Sequence, residues 1–294
     1  MSRFQDARAH EPQEEVPRLV DVDFEGGNGH CLSPLRVAPL PEPLPNEVKF
    51  AETAAETTLP LTLEAVVNAC PARSWVPDSN IVLSFRSDVR VKGTEEFRAL
   101  RSRLYQIREK GQLKSLLVAS AVSGEGRSFA AANLARVLAL QPGCQVLLID
   151  GDLRAPKLHT IFGTSAIPGL TEYLSSELSE LEVIQRGPAE NFFLIPAGRA
   201  YSGQTELIAN ARFKTLLDRV SPAFDWIVID SSAAIPVSDA SLIAAWCDAV
   251  LMVVRSNSTP FDVVRKACRR FREESLVGVL LNGSGNEDAG HTKY

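Results

Sequence analysis

The chain has 294 residues, 45% of them hydrophobic, and a formal net charge of −5. This length allows one sizeable domain with an extension, and the lack of a net basic region argues against a nucleic-acid partner. No apolar run is long enough for a membrane span. The five cysteines form no C-x-x-C pair, which favours reduced thiols in a cytoplasmic protein.

The first 80 residues differ in composition from the rest. They hold 13 acidic against 6 basic residues and ten of the 18 prolines. Such a segment predicts an acidic, largely disordered arm over residues 1–80, with a short docked element over 61–69 at most. Residues 81–284 then form the domain, and 285–294 a flexible tail.

The domain begins with a predicted strand over 81–91 and a helix, Thr94–Glu109, with Thr94 as its N-cap. One face of this helix is apolar. Glu95, Arg98 and Arg101 lie on adjoining positions at a spacing of three. These three side chains are interpreted either as a contact surface for another subunit or as a solvated helix face.

Short apolar runs then alternate with helical patterns, which predicts an α/β fold: a parallel sheet with helices on both faces. The predicted strands are Ser115–Ser120, Val146–Asp150, Phe192–Pro196, Trp226–Asp230, Val250–Arg255 and Val277–Leu281. The predicted helices are Ser128–Leu140, Thr171–Leu178, Thr205–Val220, Asp239–Trp246 and Pro260–Glu273. Ligands of such sheets bind at the carboxyl ends of the strands.

A glycine-rich loop, 120–128, follows the first of these strands. Its backbone N–H groups and the following helix N-terminus predict an anion cradle, and the Ser128 hydroxyl has the position of a magnesium ligand. The general phosphate-loop pattern G-x-x-x-x-G-K-[ST] is not met, because Ala121 and Arg127 stand where glycine and lysine belong. The alternative is an ordinary strand-to-helix turn.

Three carboxylates lie at or just after the ends of two other predicted strands. Asp150 ends the strand Val146–Asp150 and Asp152 follows it, and Asp230 ends the strand Trp226–Asp230. Taken singly, each is interpreted as a helix N-cap. Together with the loop they predict a magnesium site, because magnesium prefers oxygen ligands and buried acids need a partner. Asp230 then holds a magnesium-bound water, and Asp150 or Asp152 accepts a proton from an attacking hydroxyl.

These motifs, in this order, resemble the cytoplasmic domain of bacterial tyrosine kinases (BY-kinases), which regulate capsule and exopolysaccharide synthesis. That family belongs to the phosphate-loop ATPase class of ParA and MinD. The matching segments are the ring-forming E-x-x-R-x-x-R motif at 95–101, Walker A at 120–128, Walker A′ at 146–156 and Walker B at 224–230.

The sequence also departs from the family pattern. Ser123 replaces a usual proline, Arg127 replaces the Walker A lysine, and residues 231–233 replace T-P-P after Walker B. The family's C-terminal tyrosine cluster is absent, leaving Tyr294 alone in the tail. Tyr294 is interpreted either as a phosphoacceptor or as part of a frayed terminus.

The resemblance implies ATP and Mg²⁺ as cofactors and assigns site residues. Candidate nucleotide contacts are Ser123, Gly124, Glu125, Gly126, Arg127, Ser128, Phe129 and Asn282, the last being otherwise a turn residue. Candidate metal ligands are Ser128, Asp152 and Asp230, and candidate catalytic residues are Arg127, Asp150 and Asp152. Glu95, Arg98 and Arg101 would form a homo-oligomeric ring. The resemblance also implies a cytoplasmic protein held at the inner membrane face by a membrane-embedded polysaccharide co-polymerase.

Arginine is bulkier than lysine, planar and forked, so it cannot stabilise a transferred phosphoryl group in the same way. We therefore expect ATP binding with tyrosine autophosphorylation weak or lost. One alternative is a non-catalytic pseudokinase scaffold of the export complex. Another is a ParA/MinD-like positioning ATPase, although those carry an early lysine, K-G-G-x-G-K-[ST], and here Ser123 precedes the first glycine.

Overall fold

A computed structural model describes residues 60–83 and 93–283, together with the backbone of 18–20. Most of the predicted arm, most of the predicted strand 81–91, and the tail with Tyr294 lie outside these residues. Within the described part of the chain, no helix is long and apolar enough to cross a membrane.

The sheet has the strand order β1-β8-β7-β2-β6-β3-β5-β4. The strands are β1 Arg18–Val20, β2 Ser115–Ser120, β3 Val146–Asp150, β4 Gln185–Arg186, β5 Phe192–Ile195, β6 Trp226–Asp230, β7 Ala249–Arg255 and β8 Leu276–Asn282. The six central strands are parallel, which confirms the predicted fold class, and the two short edge strands, β1 and β4, run antiparallel to their neighbours.

Within the described residues, ten α-helices cover the sheet. They are α1 Leu63–Ala69, α2 Thr94–Lys110, α3 Arg127–Ala139, α4 Leu158–Phe162, α5 Leu170–Leu174, α6 Glu180–Val183, α7 Gln204–Ile208, α8 Arg212–Val220, α9 Asp239–Ala244 and α10 Phe261–Cys268. The strands β2, β3, β5, β6 and β7 are buried along nearly their whole length, as expected for a sheet covered on both faces.

Alternate residues of each central strand enter one of two cores. In β2, Leu117 and Ala119 pack with the helices from α5 onwards, whereas Leu116 and Val118 pack with α2, α3 and α4. Such alternation follows from the two-residue period of a strand. Both cores hold β2, β3 and β6 in place, so the carboxyl ends of these strands are fixed relative to one another.

Residues 60–83 pack on the domain, and the short docked element predicted over 61–69 corresponds to α1. Val66 of α1 is fully buried in one core. Trp75 is buried in the other, with its ring 5.6 Å from that of Phe162 and 5.8 Å from that of Phe192. Because the region is acidic and rich in proline, the composition of the sequence does not indicate the buried contacts of Trp75.

Several predicted elements differ from those observed. Residues 81–83 form a turn instead of a strand, since the amides of Ile81 and Val82 donate to Asp78. Helix α2 has Gly93 as its N-cap, so Thr94 is its first residue. The predicted helix 205–220 is divided into α7 and α8, because the Asn210 side chain accepts a hydrogen bond from the amide that begins α8.

The packing of residues 60–83 predicts a large difference between two neighbouring substitutions. Trp75→Ala should lower the free energy of unfolding by about 3–5 kcal/mol, because it empties a buried aromatic contact. Val76→Ala is the matched control, since the Val76 side chain is 77% exposed. Urea denaturation followed by circular dichroism measures both; equal midpoints for the two variants would contradict the assignment of this segment to the core.

Candidate functional site

The three predicted carboxylates meet at the carboxyl edge of the sheet. Asp150 ends β3 and Asp230 ends β6, and they are register partners on adjacent parallel strands. Asp152 follows two residues after β3. The loop after β2 lies beside them, because β2 pairs with the other side of β6. The sequence order of strands and acids therefore brings the loop and the three acids together at one edge of the sheet.

The glycine-rich loop has a defined shape. Gly124 and Gly126 have φ values of +89° and +87°, a backbone region that favours glycine. A Cβ atom on Gly126 would also lie 1.9 Å from the Asn282 amide nitrogen. Close approach of β8 to the loop therefore requires a glycine at position 126.

Two side chains brace this loop. Glu125 is buried, and its carboxylate accepts hydrogen bonds from the Val122 amide at 2.8 Å and the Thr259 hydroxyl at 2.7 Å. The Asn282 amide, predicted to contact the base of a nucleotide, donates to the Glu125 carbonyl at 2.9 Å. Both side chains therefore act on the loop itself.

Arg127 is the first residue of α3 and makes the main polar contacts of the site. Its Nε donates to Asp230 Oδ1 at 2.9 Å, its Nη2 to Asp152 Oδ2 at 2.5 Å, and its Nη1 to the Ser120 hydroxyl at 3.0 Å. The Arg127 side chain is only 10% exposed. The guanidinium therefore joins the loop to the ends of β3 and β6.

The electrostatics of this cluster follow from burial and pairing. Burial raises the pKa of Asp230, and the positive charge of Arg127 partly offsets that rise. Burial, followed by the charge of Asp230, raises the pKa of Asp150 well above its usual value. Removal of Arg127 would leave Asp230 buried without its cationic partner.

Asp150 was predicted as a catalytic residue, and its surroundings give it a different role. It is fully buried, and its carboxylate accepts hydrogen bonds from the amides of Asp152, Lys157 and Leu158 at 3.3, 3.1 and 3.0 Å. Those bonds shape the turn from β3 to α4. An acid without access to the cavity cannot take a proton from a substrate hydroxyl.

A cavity of 460 Å³ opens in front of the loop, a size typical of small-ligand sites. The complete predicted run 123–129 lines it, together with Asp152. Asp150, Asp230 and Asn282 do not line the cavity. Asp230 lies behind the Arg127 guanidinium, which separates it from the cavity.

Lys157 also lines this cavity, and it was missed by the sequence analysis. Its backbone is tied to Asp150, and its exposed side chain has no described ion-pair partner. A phosphate on the loop would thus meet a second positive charge from the far side of the cavity. Lys157 directly follows Pro156, the last residue of the segment that resembles Walker A′. This position is the sequence signal that could have indicated it.

The residues do not fit the predicted magnesium ion in this arrangement. Arg127 already pairs with both Asp152 and Asp230, the two carboxylates proposed to hold the metal. The Ser128 hydroxyl lies close enough to Asp230 to lower its pKa, and Asp230 Oδ2 has no hydrogen-bond donor. Among residues 60–83 and 93–283, no three His, Cys, Asp or Glu side chains form a metal-binding group.

Curated bacterial tyrosine-protein kinases are similar to this chain in sequence. The tyrosine-protein kinase YwqD of Bacillus subtilis strain 168 is 31% identical over 192 residues, covering 65% of this chain and 81% of the relative. The tyrosine-protein kinase wzc of Salmonella typhi is 30% identical over 207 residues, covering 68% of this chain and 29% of the relative. The chain belongs to the bacterial tyrosine-kinase family.

The solved kinase domain of Escherichia coli tyrosine kinase ETK has the same fold. It superposes with a TM-score of 0.65 at 25% identity, covering 81% of this chain and 86% of that domain. No family model matches the chain. The chain spans most of YwqD but less than a third of wzc, so the resemblance to wzc is confined to one part of that protein.

Glu95, Arg98 and Arg101, predicted as a contact surface for another subunit, lie on α2 and differ in their surroundings. Glu95 and Arg98 are exposed and form an ion pair with each other at 2.5 Å. Arg101 is half-buried, and its Nη1 donates to the Val137 carbonyl of α3 at 3.0 Å. The sequence prediction placed all three heads on a free surface, whereas Arg101 instead fastens α2 to α3.

The ion cluster predicts a pH-dependent stability defect in Arg127→Met. At pH 7 the variant should lose about 3 kcal/mol of unfolding free energy, because buried carboxylates lose their cation. The folded-state pKa of Asp230 should rise further. An acid whose pKa is raised in the folded state destabilises the fold at pH values above its unfolded-state pKa, and this cost falls as the pH approaches that pKa, so the loss should shrink as the pH falls towards 5.

Urea denaturation at pH 7 and pH 5 measures this effect. Arg98→Met removes an exposed arginine and serves as the control, with a change of about 0.5 kcal/mol or less at either pH. A defect in Arg127→Met that does not depend on pH would show that the charge of the carboxylates is not its cause.

Proposed function

We propose that this protein binds ATP at the loop 123–129 and regulates exopolysaccharide or capsule synthesis, with phosphoryl transfer to tyrosine weak or lost. The observation that carries the proposal is the three-way contact of Arg127 with Ser120, Asp152 and Asp230. The binding and the weakened chemistry rest on separate features of the site.

ATP binding is supported by the shape and charge of the cavity. Residues 123–126 of the loop and the first residues of α3 line it, and we propose their backbone N–H groups as the phosphate contacts. Such groups bind phosphate without any particular side chain. Lys157 adds a cation at the rim. Each of these features is independent of the residue at position 127.

Weak phosphoryl transfer is supported by the direction of the Arg127 guanidinium. In a phosphate loop, the lysine at this position stabilises the charge that develops on the transferred group. Here the cation at this position is engaged by two carboxylates. The loss of such a contact raises the barrier by roughly 3 kcal/mol, or about a hundredfold in rate.

A non-catalytic role as a pseudokinase scaffold is the second candidate. It is favoured by the burial of Asp150, which removes one of the two proposed proton acceptors, and by the pairing of the other, Asp152, with Arg127. In this role, bound ATP would set the conformation of an export complex without being consumed.

The setting follows from the family resemblance. We propose that a membrane-embedded co-polymerase recruits the protein to the inner face of the cell membrane, and that copies assemble through Glu95 and Arg98 on α2. Tyr294 is the proposed acceptor of any residual phosphorylation. The predicted Mg²⁺ has less support than ATP, because its two carboxylates already have a cationic partner.

The first test is ATP affinity. Lys157→Ala should weaken binding of a fluorescent ATP analogue about fivefold, since it removes one exposed charge contact of about 1 kcal/mol. Lys266→Ala, an exposed lysine of α10 that does not line the cavity, is the control and should bind as the unmodified protein does. Absence of binding at millimolar ATP in the unmodified protein would reject the proposed function.

The second test separates a kinase from a pseudokinase. Purified protein incubated with ATP and Mg²⁺ should show little phosphotyrosine by mass spectrometry, and Arg127→Lys should show at least tenfold more if position 127 limits the chemistry. If the unmodified protein is already heavily phosphorylated, transfer is intact. If both proteins stay unmodified, position 127 is not the limiting feature, which favours the scaffold role.

A further inference from the structure

We infer that the Arg127 guanidinium takes the place of the divalent cation in this site, so that the protein binds ATP without Mg²⁺. The inference rests on the proposed ATP binding and specifies its metal requirement. The observations that support it are the contacts of the three carboxylates and of Arg127.

The guanidinium lies between the two carboxylates that were predicted to serve the metal. Its Nε is 2.9 Å from Asp230 Oδ1, and its Nη2 is 2.5 Å from Asp152 Oδ2. Its third nitrogen, Nη1, donates to Ser120. A planar guanidinium has a fixed fork of donors, so these three contacts from one group define its position closely.

Few carboxylate oxygens remain for a metal ion. Both oxygens of Asp150 accept backbone hydrogen bonds, Asp152 Oδ1 accepts from the Ala155 amide, and Asp230 Oδ1 accepts from the Ser231 amide as well as from Arg127. Only Asp230 Oδ2 lacks a donor. Magnesium in nucleotide sites is held by one or two carboxylates together with substrate phosphates and waters, and here the two carboxylates predicted for that purpose, Asp152 and Asp230, are already paired with Arg127.

Charge leads to the same conclusion. A guanidinium does not lose its proton in proteins, so a metal ion could bind the acids only by displacing Arg127 or by lying beside a fixed positive charge. Displacement would break contacts to Asp152, Asp230 and Ser120 together. The phosphates of ATP can instead be neutralised from the cavity side, by the backbone N–H groups and Lys157.

The experiment is a titration of the full chain with a fluorescent ATP analogue, in excess Mg²⁺ and in excess EDTA. For the unmodified protein we expect dissociation constants within about twofold of each other. Arg127→Lys, which replaces the fork with a single point charge, should bind at least about tenfold more tightly with Mg²⁺ than with EDTA.

The possible outcomes distinguish a failure of the inference about Mg²⁺ from a failure of the proposed ATP binding. Binding that needs Mg²⁺ in the unmodified protein would overturn the inference and leave the proposed ATP binding intact. Absence of binding in both solutions would overturn the proposed function, and the inference with it. An Arg127→Lys variant that is as indifferent to Mg²⁺ as its parent would show that Arg127 is not the cause, which also overturns the inference.

A second readout needs no substitution. The binding of a metal ion to ATP and the binding of the protein to ATP are linked reciprocally. If the metal does not increase the affinity of the protein for ATP, the protein cannot increase the affinity of ATP for the metal. We expect electron paramagnetic resonance to give the same Mn²⁺ affinity for ATP with and without the protein. A tenfold higher affinity in the presence of the protein would contradict the inference.

Discussion

The contact of Arg127 with Asp152 and Asp230 is the interaction on which the rest of the site depends. It joins the phosphate loop to the ends of two central strands, and it does so with one side chain that is only 10% exposed. Buried carboxylates are costly without a cation, so this arginine compensates charge that the fold places at the sheet edge. The same contact turns the cation away from the position where phosphoryl transfer would need it.

The binding surface does not depend on that contact. Glu125 and Asn282 hold the loop from behind, and Gly126 permits the close approach of β8. These contacts do not involve the side chain at position 127. The proposed nucleotide binding and the proposed loss of phosphoryl transfer therefore rest on different atoms of one loop.

Much of this could be predicted from the sequence. Continuous apolar runs marked the central strands, three of them with the observed bounds, and parallel strands that end in acids place those acids together. The direction of individual side chains could not be predicted from the sequence. Arg101 and Arg127 both turn inward to partners about 36 and 103 residues away in sequence, at Val137 and Asp230. Lys157 was missed because its place in the cavity depends on a turn fixed by backbone bonds to Asp150.

The account can be tested most directly by a crystal structure of the protein with ATP and Mn²⁺, with the metal located by its anomalous scattering. We predict that the guanidinium of Arg127 stays within hydrogen-bonding distance of Asp152 and Asp230, that the phosphates lie on the backbone N–H groups of the loop, and that no manganese lies between Ser128 and Asp230. A manganese ion at that position, with Arg127 displaced towards the phosphates, would contradict the account.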